Sequence, residues 1–218
     1  MVSLPCDTDS RCMREEATGW QDSAESALNT RRGAFRAIAF REYADGPEHL
    51  VLVHGTPGDG VLARVHSECL TGEVFGATRC ECGDQLDAAL DAIVAEGSGV
   101  LVYLRGQEGR GIGLIAKIRT HILQDEQGLD TVDSATALGL PVDVRDYGPA
   151  GTALRHLGIG AVRLLSNNPD KGAALAAAGI TVTERVPLLI AANEGNLAYL
   201  RAKRDRLGHD LPQLQLRQ

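Results

Sequence analysis

The sequence predicts a single α/β (mixed α+β) domain, with a mixed β-sheet core flanked by helices. Three observations point there. Strand-like runs dominate the first third of the chain, and strand and helix patterns alternate after them. Of 218 residues, 44% are hydrophobic and 23% charged, a balance that can bury a core.

Residues 1–28 are polar, weakly acidic and aperiodic, which predicts a disordered N-terminal tail. Cys6 and Cys12 fall in this tail, where they read as free thiols apart from any ligand cluster. AFRAIAF (34–40), HLVLVHG (49–55) and VLARVH (61–66) read as short strands, with Gly58, Asp59 and Gly60 as turn residues. CGDQLDAALDAIVAEG (82–97) places Leu86, Ala89, Leu90, Ile93 and Val94 on one helical face, with Gly97 as the stop.

GVLVYLR (99–105) is a continuous apolar run of the kind buried on both faces. IGLIAKIRTHILQDEQG (112–128) is a second amphipathic helix, entered through a glycine-rich turn. A helical stretch near 149–157 leads into the strand AVRLLS (161–166). PDKGAALAAAG (169–179) has proline near its start and glycine past its end, as a helix does. ITVTERVPL (180–188) reads as a strand and 195–207 as a charged terminal helix. The expected boundaries are a catalytic domain at 29–210 and a short C-terminal tail at 211–218.

No apolar run approaches the roughly 20 residues that cross a bilayer, and the N-terminus lacks the apolar stretch of an export signal. The expected location is therefore the cytoplasm, where thiols stay reduced and grouped cysteines mean metal or catalysis. A formal charge of −7 argues against general nucleic-acid binding. An anionic small substrate needs only local positive charge, which Arg105, Arg110, Lys117 and Arg119 supply in mid-chain.

Three constellations carry chemistry. Cys69, Cys80 and Cys82 stand in C-x10-C-x-C spacing, which suggests zinc with an open fourth position. His66, three residues before Cys69, offers the alternative of a closed four-ligand structural site. Three thiolates leave a dication formally negative, so a catalytic version needs neighbouring acid–base groups, and Glu68 and His66 are nearest in sequence. The segment LRGQEGRGIGL (104–114) opens a helix, where free N–H groups and Arg110 suit a phosphate, although such turns also serve packing. In DVRDYG (143–148), Asp143 and Arg145 point the same way on an extended chain. In LLSNNPDKG (164–172), Ser166, Asn167 and Lys171 start a helix, fitting either anion contact or capping.

Together these segments resemble GTP cyclohydrolase II, the enzyme that opens riboflavin biosynthesis. RVHSECLTG, RC-x-CG-x-QL, EGRGIGL, LQD, VRDYG, LLSNNP and ERVPL recur in the family's order over about residues 30–210. That family is often fused to an upstream synthase, for which the tail here has no room. The resemblance implies hydrolysis of GTP at C8 of guanine, loss of formate and separate release of pyrophosphate, with zinc on Cys69, Cys80 and Cys82 and Mg²⁺ on the triphosphate. It also implies substrate contacts at Arg64, Val65, His66, Ser67, Glu68, Gln85, Glu108, Gly109, Arg110, Thr131, Ser166 and Lys171. Asp143 matches the family's proton acceptor and Arg145 its nucleophile at the α-phosphate. A guanidinium with pKa above about 12 is better suited to stabilising charge there. The family is commonly homodimeric.

One position departs from the pattern. The family reads KIRAY-x-LQD, and this chain reads KIRTHILQD, so His121 stands where a catalytic tyrosine is expected. Imidazole exchanges protons near pH 7 more readily than phenol but reaches less far. The expected outcomes are full deformylation, arrest at the N-formylated pyrimidine for a specialised pathway, or loss of C8 chemistry with pyrophosphate release retained. A regulator that binds nucleotide without turnover is the reading from another class.

Overall fold

The computed structural model describes residues 19–214. Its elements run β1 (Asp22–Asn29), β2 (Ala34–Arg41), β3 (His49–His54), β4 (Val61–Ser67), α1 (Leu70–Glu73), α2 (Cys82–Glu96), β5 (Gly99–Leu104), α3 (Leu114–Gln127), α4 (Thr131–Ala137), α5 (Gly148–His156), β6 (Ala161–Leu165), α6 (Pro169–Ala177), β7 (Thr181–Val186) and α7 (Leu197–Leu207). The strands make one mixed sheet in the order β1-β2-β3-β5-β4-β6-β7. β1, β2, β3 and β5 pair antiparallel, whereas β5, β4, β6 and β7 pair parallel.

The apolar pattern explains the layering. In β5, Val100, Val102 and Leu104 join one buried cluster while Leu101 joins the other. The first cluster is closed by Ala153 and Leu154 of α5 and Leu175 of α6, the second by Ala89, Leu90 and Ile93 of α2. The sheet is thus covered by helices on both faces, as a central all-apolar strand requires.

One sequence expectation is corrected. Asp22–Leu28, assigned to the tail, belongs with Asn29 to the edge strand β1, in register with β2 from Asp22↔Arg41 to Asn29↔Ala34. Every residue of β1 is exposed, so no apolar alternation marks it. Backbone pairing and the ion pairs Arg36–Glu25 and Arg41–Asp22 hold it instead. Cys6 and Cys12 lie outside the described residues.

The connectivity places the site. From β4 the chain crosses to β5 on one side, and from β5 to β6 on the other side of β4. Such a switch point opens a crevice beyond the carboxyl ends of the strands, where α/β folds bind ligands. The segments leaving β4 and β5 are the first two that sequence analysis singled out, and of the third LLSNNPDKG leaves β6 while DVRDYG leads into α5.

Candidate active site

The crevice is a cavity of about 430 Å³. Every candidate site residue except Val65 and Asp143 lines it. Val65 is buried in the sheet core, and its carbonyl accepts a hydrogen bond from Lys171 Nζ at 2.9 Å. Asp143 reaches the site through its neighbour. Its carboxylate accepts from Arg145 Nε at 2.9 Å and from a terminal guanidinium nitrogen at 2.5 Å, and Arg145 does line the cavity. The two side chains lie together, as their alternate spacing predicted. Burial opposes ionisation of Asp143, but the Arg145 contacts outweigh it and hold the carboxyl below its ordinary range.

The Sγ atoms of Cys69, Cys80 and Cys82 all lie within 4.8 Å of one another. Cys69 caps the start of α1, and Cys82 is the first residue of α2. Gly72 makes the cluster possible: a Cβ there would stand 2.6 Å from Cys80 Sγ and 3.3 Å from Cys69 Sγ. Hydrogen bonding from Cys80 and Cys82, with the charge of Lys117, pulls the Cys69 thiol far below its ordinary range. Sharing with Cys69 pushes Cys82 up. A soft, three-sulfur donor set this close fits zinc, which would displace the remaining protons.

His66 does not close the site. Its Nδ1 faces an Arg64 guanidinium nitrogen at 3.4 Å and its Nε2 meets Glu73 Oε1 at 2.9 Å. Burial, with Arg64 and Lys171 adding to it, pushes its pKa well down, so the ring is neutral. Arginine only donates, so Nδ1 accepts and Nε2–H donates to Glu73. Tyr103 donates to the other Glu73 oxygen at 2.5 Å, and burial raises the Glu73 carboxyl to about 7. Both imidazole nitrogens are committed, and the closed H-x-x-C alternative falls.

The glycine-rich loop after β5 serves the metal turn as much as any ligand. Amides of Gly109, Gly111 and Gly113 bond to Glu108 or Gln107 within the loop, so they are not free for phosphate. Glu108 instead accepts from Leu70 N at 2.7 Å and from Lys117 Nζ at 2.6 Å, joining this loop to the cysteine turn. Glu68 does the same in reverse, accepting from Gln107 N at 2.8 Å. Arg110 has φ 62, the one positive φ outside glycine among the described residues.

Cations crowd the rest of the cavity. Arg64 is buried, with its pKa lowered by burial to about 10, and donates to Leu165 O and Gln85 Oε1 at 2.9 Å each. Lys171 is buried, and the Ser166 hydroxyl is in a turn with Asn168, the N-cap of α6. Thr131 follows Asp130, the N-cap of α4. Among the described residues, buried side-chain atoms of the lining, namely Arg64 Nε, Ser67 Oγ, Gln107 Oε1 and one Arg110 Nη, lack a partner.

His121 lines the cavity too. Burial, with Arg79 and Lys117 nearby, lowers its pKa and keeps the imidazole neutral near pH 7. Asp125, one turn on, pairs with Arg79.

A family profile described as GTP cyclohydrolase II matches residues 21–187. The chain belongs to the GTP cyclohydrolase II family. It is 56% identical over 188 residues to GTP cyclohydrolase-2 of Streptomyces coelicolor, covering 86% of this chain and 85% of that one. It is 56% identical over 190 residues to the riboflavin biosynthesis protein RibBA of Nocardia farcinica, and 54% over 194 residues to that of Rhodococcus erythropolis. Each alignment covers 86% of this chain and 46% of the relative, so the chain spans about half the length of these relatives.

Sequence reasoning missed part of this cavity's wall. Tyr199, Lys203 and His209 come from or follow α7, beyond the profile match, and line the same cavity. Lys203 is buried and donates at 3.1 Å to Glu81, the residue between two of the thiols. Nothing in a charged terminal helix signals that one lysine turns inward. Lys117 stood out only as a local cation, although it lies four residues before His121 and so shares its helical face.

Proposed function

We propose that this chain hydrolyses GTP at C8 of guanine, opens the imidazole ring, releases formate and pyrophosphate, and leaves 2,5-diamino-6-(5-phosphoribosylamino)pyrimidin-4(3H)-one. The observation that carries this reading is a three-thiol cluster, joined by no fourth ligand-type side chain among the described residues, facing one cavity with Arg64, Arg110, Arg145 and Lys171. Zinc held by Cys69, Cys80 and Cys82 would supply a Lewis acid and an activated water. The cations would bind the triphosphate, and the unpartnered donors of Arg64, Ser67 and Arg110 would gain acceptors. Arg145, held by Asp143, would stabilise charge at the α-phosphate during pyrophosphate release. Mg²⁺ would accompany the triphosphate, as the family resemblance implies.

The assignment extends to the setting. The catalytic unit spans residues 29–210 with β1 as its added edge, and the three free thiols suit the reducing cytoplasm. No helix among the described residues is long and apolar enough to cross a membrane. A homodimer would cover the exposed apolar side chains of α1 and α3 and the residues next to α1: Leu70, Val74, Phe75, Ile115, Ile118 and Ile122.

A second reading is favoured by one residue: with His121 in place of tyrosine, the reaction would stop at the N-formylated pyrimidine. Mass spectrometry of the products from zinc-loaded protein, GTP and Mg²⁺, with formate assayed in parallel, separates the two. Formate equal to pyrophosphate supports the full reaction, and a formyl-retaining monophosphate supports arrest. Unchanged GTP would mean neither is right.

A further inference from the structure

We infer that Lys117 is a positioning residue of the metal centre, whose ammonium fixes Cys69 and moderates how strongly that sulfur donates to the metal. The inference rests on the zinc site proposed above. Lys117 Nζ contacts three acceptors: Glu108 Oε1 at 2.6 Å, Thr71 Oγ1 at 2.8 Å and Cys69 Sγ at 3.2 Å. An ammonium has three N–H donors, so all three are used and none is left to a substrate. The side chains of Lys117 and Glu108 are 12% and 11% exposed, so water competes little for these bonds.

The geometry selects charge on the sulfur. A neutral thiol is a weak acceptor, and a buried ammonium aimed at it gains little; a thiolate forms a charge-assisted bond. Zinc with three thiolates would carry one net negative charge, and the Lys117 ammonium, shared between Cys69 and the Glu108 carboxylate, sets positive charge directly against one of the three sulfurs. This charge-assisted donor comes from α3, while Glu68 and His66, the groups nearest the thiols in sequence, are committed to other partners. Thr120 Oγ1 donates to the Lys117 carbonyl at 2.7 Å within α3. The same helix carries His121 into the cavity one turn later, so α3 sets both the ligand sulfur and the substituted residue.

The test uses cobalt(II) in the full chain, read by its sulfur-to-cobalt charge-transfer absorption, which needs no substrate. Donation from Lys117 lowers the energy of the sulfur lone pairs, so Lys117→Gln should move the band to lower energy. Lys117→Arg keeps the cation but spreads its charge, and should fall between the two; it also provides the reading should Lys117→Gln fail to fold. Arg119→Gln removes the same charge from an exposed position on the same helix and should leave the band in place.

A band at the wild-type position in folded, cobalt-loaded Lys117→Gln or Lys117→Arg overturns the inference, as does an equal shift in Arg119→Gln. The two readings fail separately. Shifted bands with a wild-type protein that leaves GTP intact would remove the proposed reaction and keep Lys117. Turnover with an unmoved band would do the reverse.

Discussion

At the scale of the residue, the proposed reaction depends on His121 for its product and on Arg145 for its phosphate chemistry. His121 is an imidazole in the cavity wall whose protonation is opposed by burial first and then by Arg79 and Lys117. If its shorter reach limits deformylation, His121→Tyr should raise formate per pyrophosphate toward one; if it supports the whole reaction, the ratio is already one and stays there. A formate assay against pyrophosphate on both proteins reads this directly. Removing Arg145 should act elsewhere. Arg145→Gln should slow pyrophosphate release by about 10²–10³-fold, the usual loss for a transition-state donor, with zinc content unchanged by elemental analysis. These residues were legible because short motifs carried them. Lys203 and His209 were not, because burial of a terminal lysine depends on how α7 lies over the cavity.

At the scale of the element, the cysteine turn is built on a glycine. A methyl at Gly72 would collide with Cys80 Sγ. Gly72→Ala should therefore lose most bound zinc while keeping the helix and sheet signature in circular dichroism, since α1 is only four residues long. Cys82→Ser should abolish turnover and leave the fold, because the sheet is closed by clusters that do not include the thiols. A structural zinc would lose both. The strands and helices from β2 onward followed from apolar runs and periods and from turn, proline and glycine signals, with α4 and the one-turn α1 as exceptions. α4 was missed because its seven residues bury only Ser134 and Ala135, too few to mark a face. β1 was missed because it is held by backbone pairing and buries no side chain.

At the scale of the molecule, the cavity's positive wall has a consequence for stability. Burial, with Lys203, Arg145, Lys171 and Arg110 adding to it, holds His209 down to about 3. An unfolded histidine titrates near 6.5, so between these values the unfolded chain binds the extra proton. The contribution of His209 is complete above about pH 6.5 and is lost progressively toward pH 3. His209→Gln should flatten the fall of denaturation midpoint with pH across that window. The exposed apolar side chains around α1 and on α3 make a second expectation: Ile118→Asp should shift sedimentation from dimer to monomer. The fold class was legible in the sequence, because strand runs and helical patterns alternate along it, whereas the strand order that brings the three motifs to one switch point was not. The wall contributed by α7 was not.

The central claim is that the three-thiol site opens the guanine ring. The most direct measurement follows GTP by mass spectrometry with the purified chain and Mg²⁺, before and after zinc is stripped and one equivalent returned. A ring-opened nucleotide that disappears on stripping and returns with zinc is the expected result. GTP that stays intact with zinc bound, or ring opening that persists after its removal, would contradict the account.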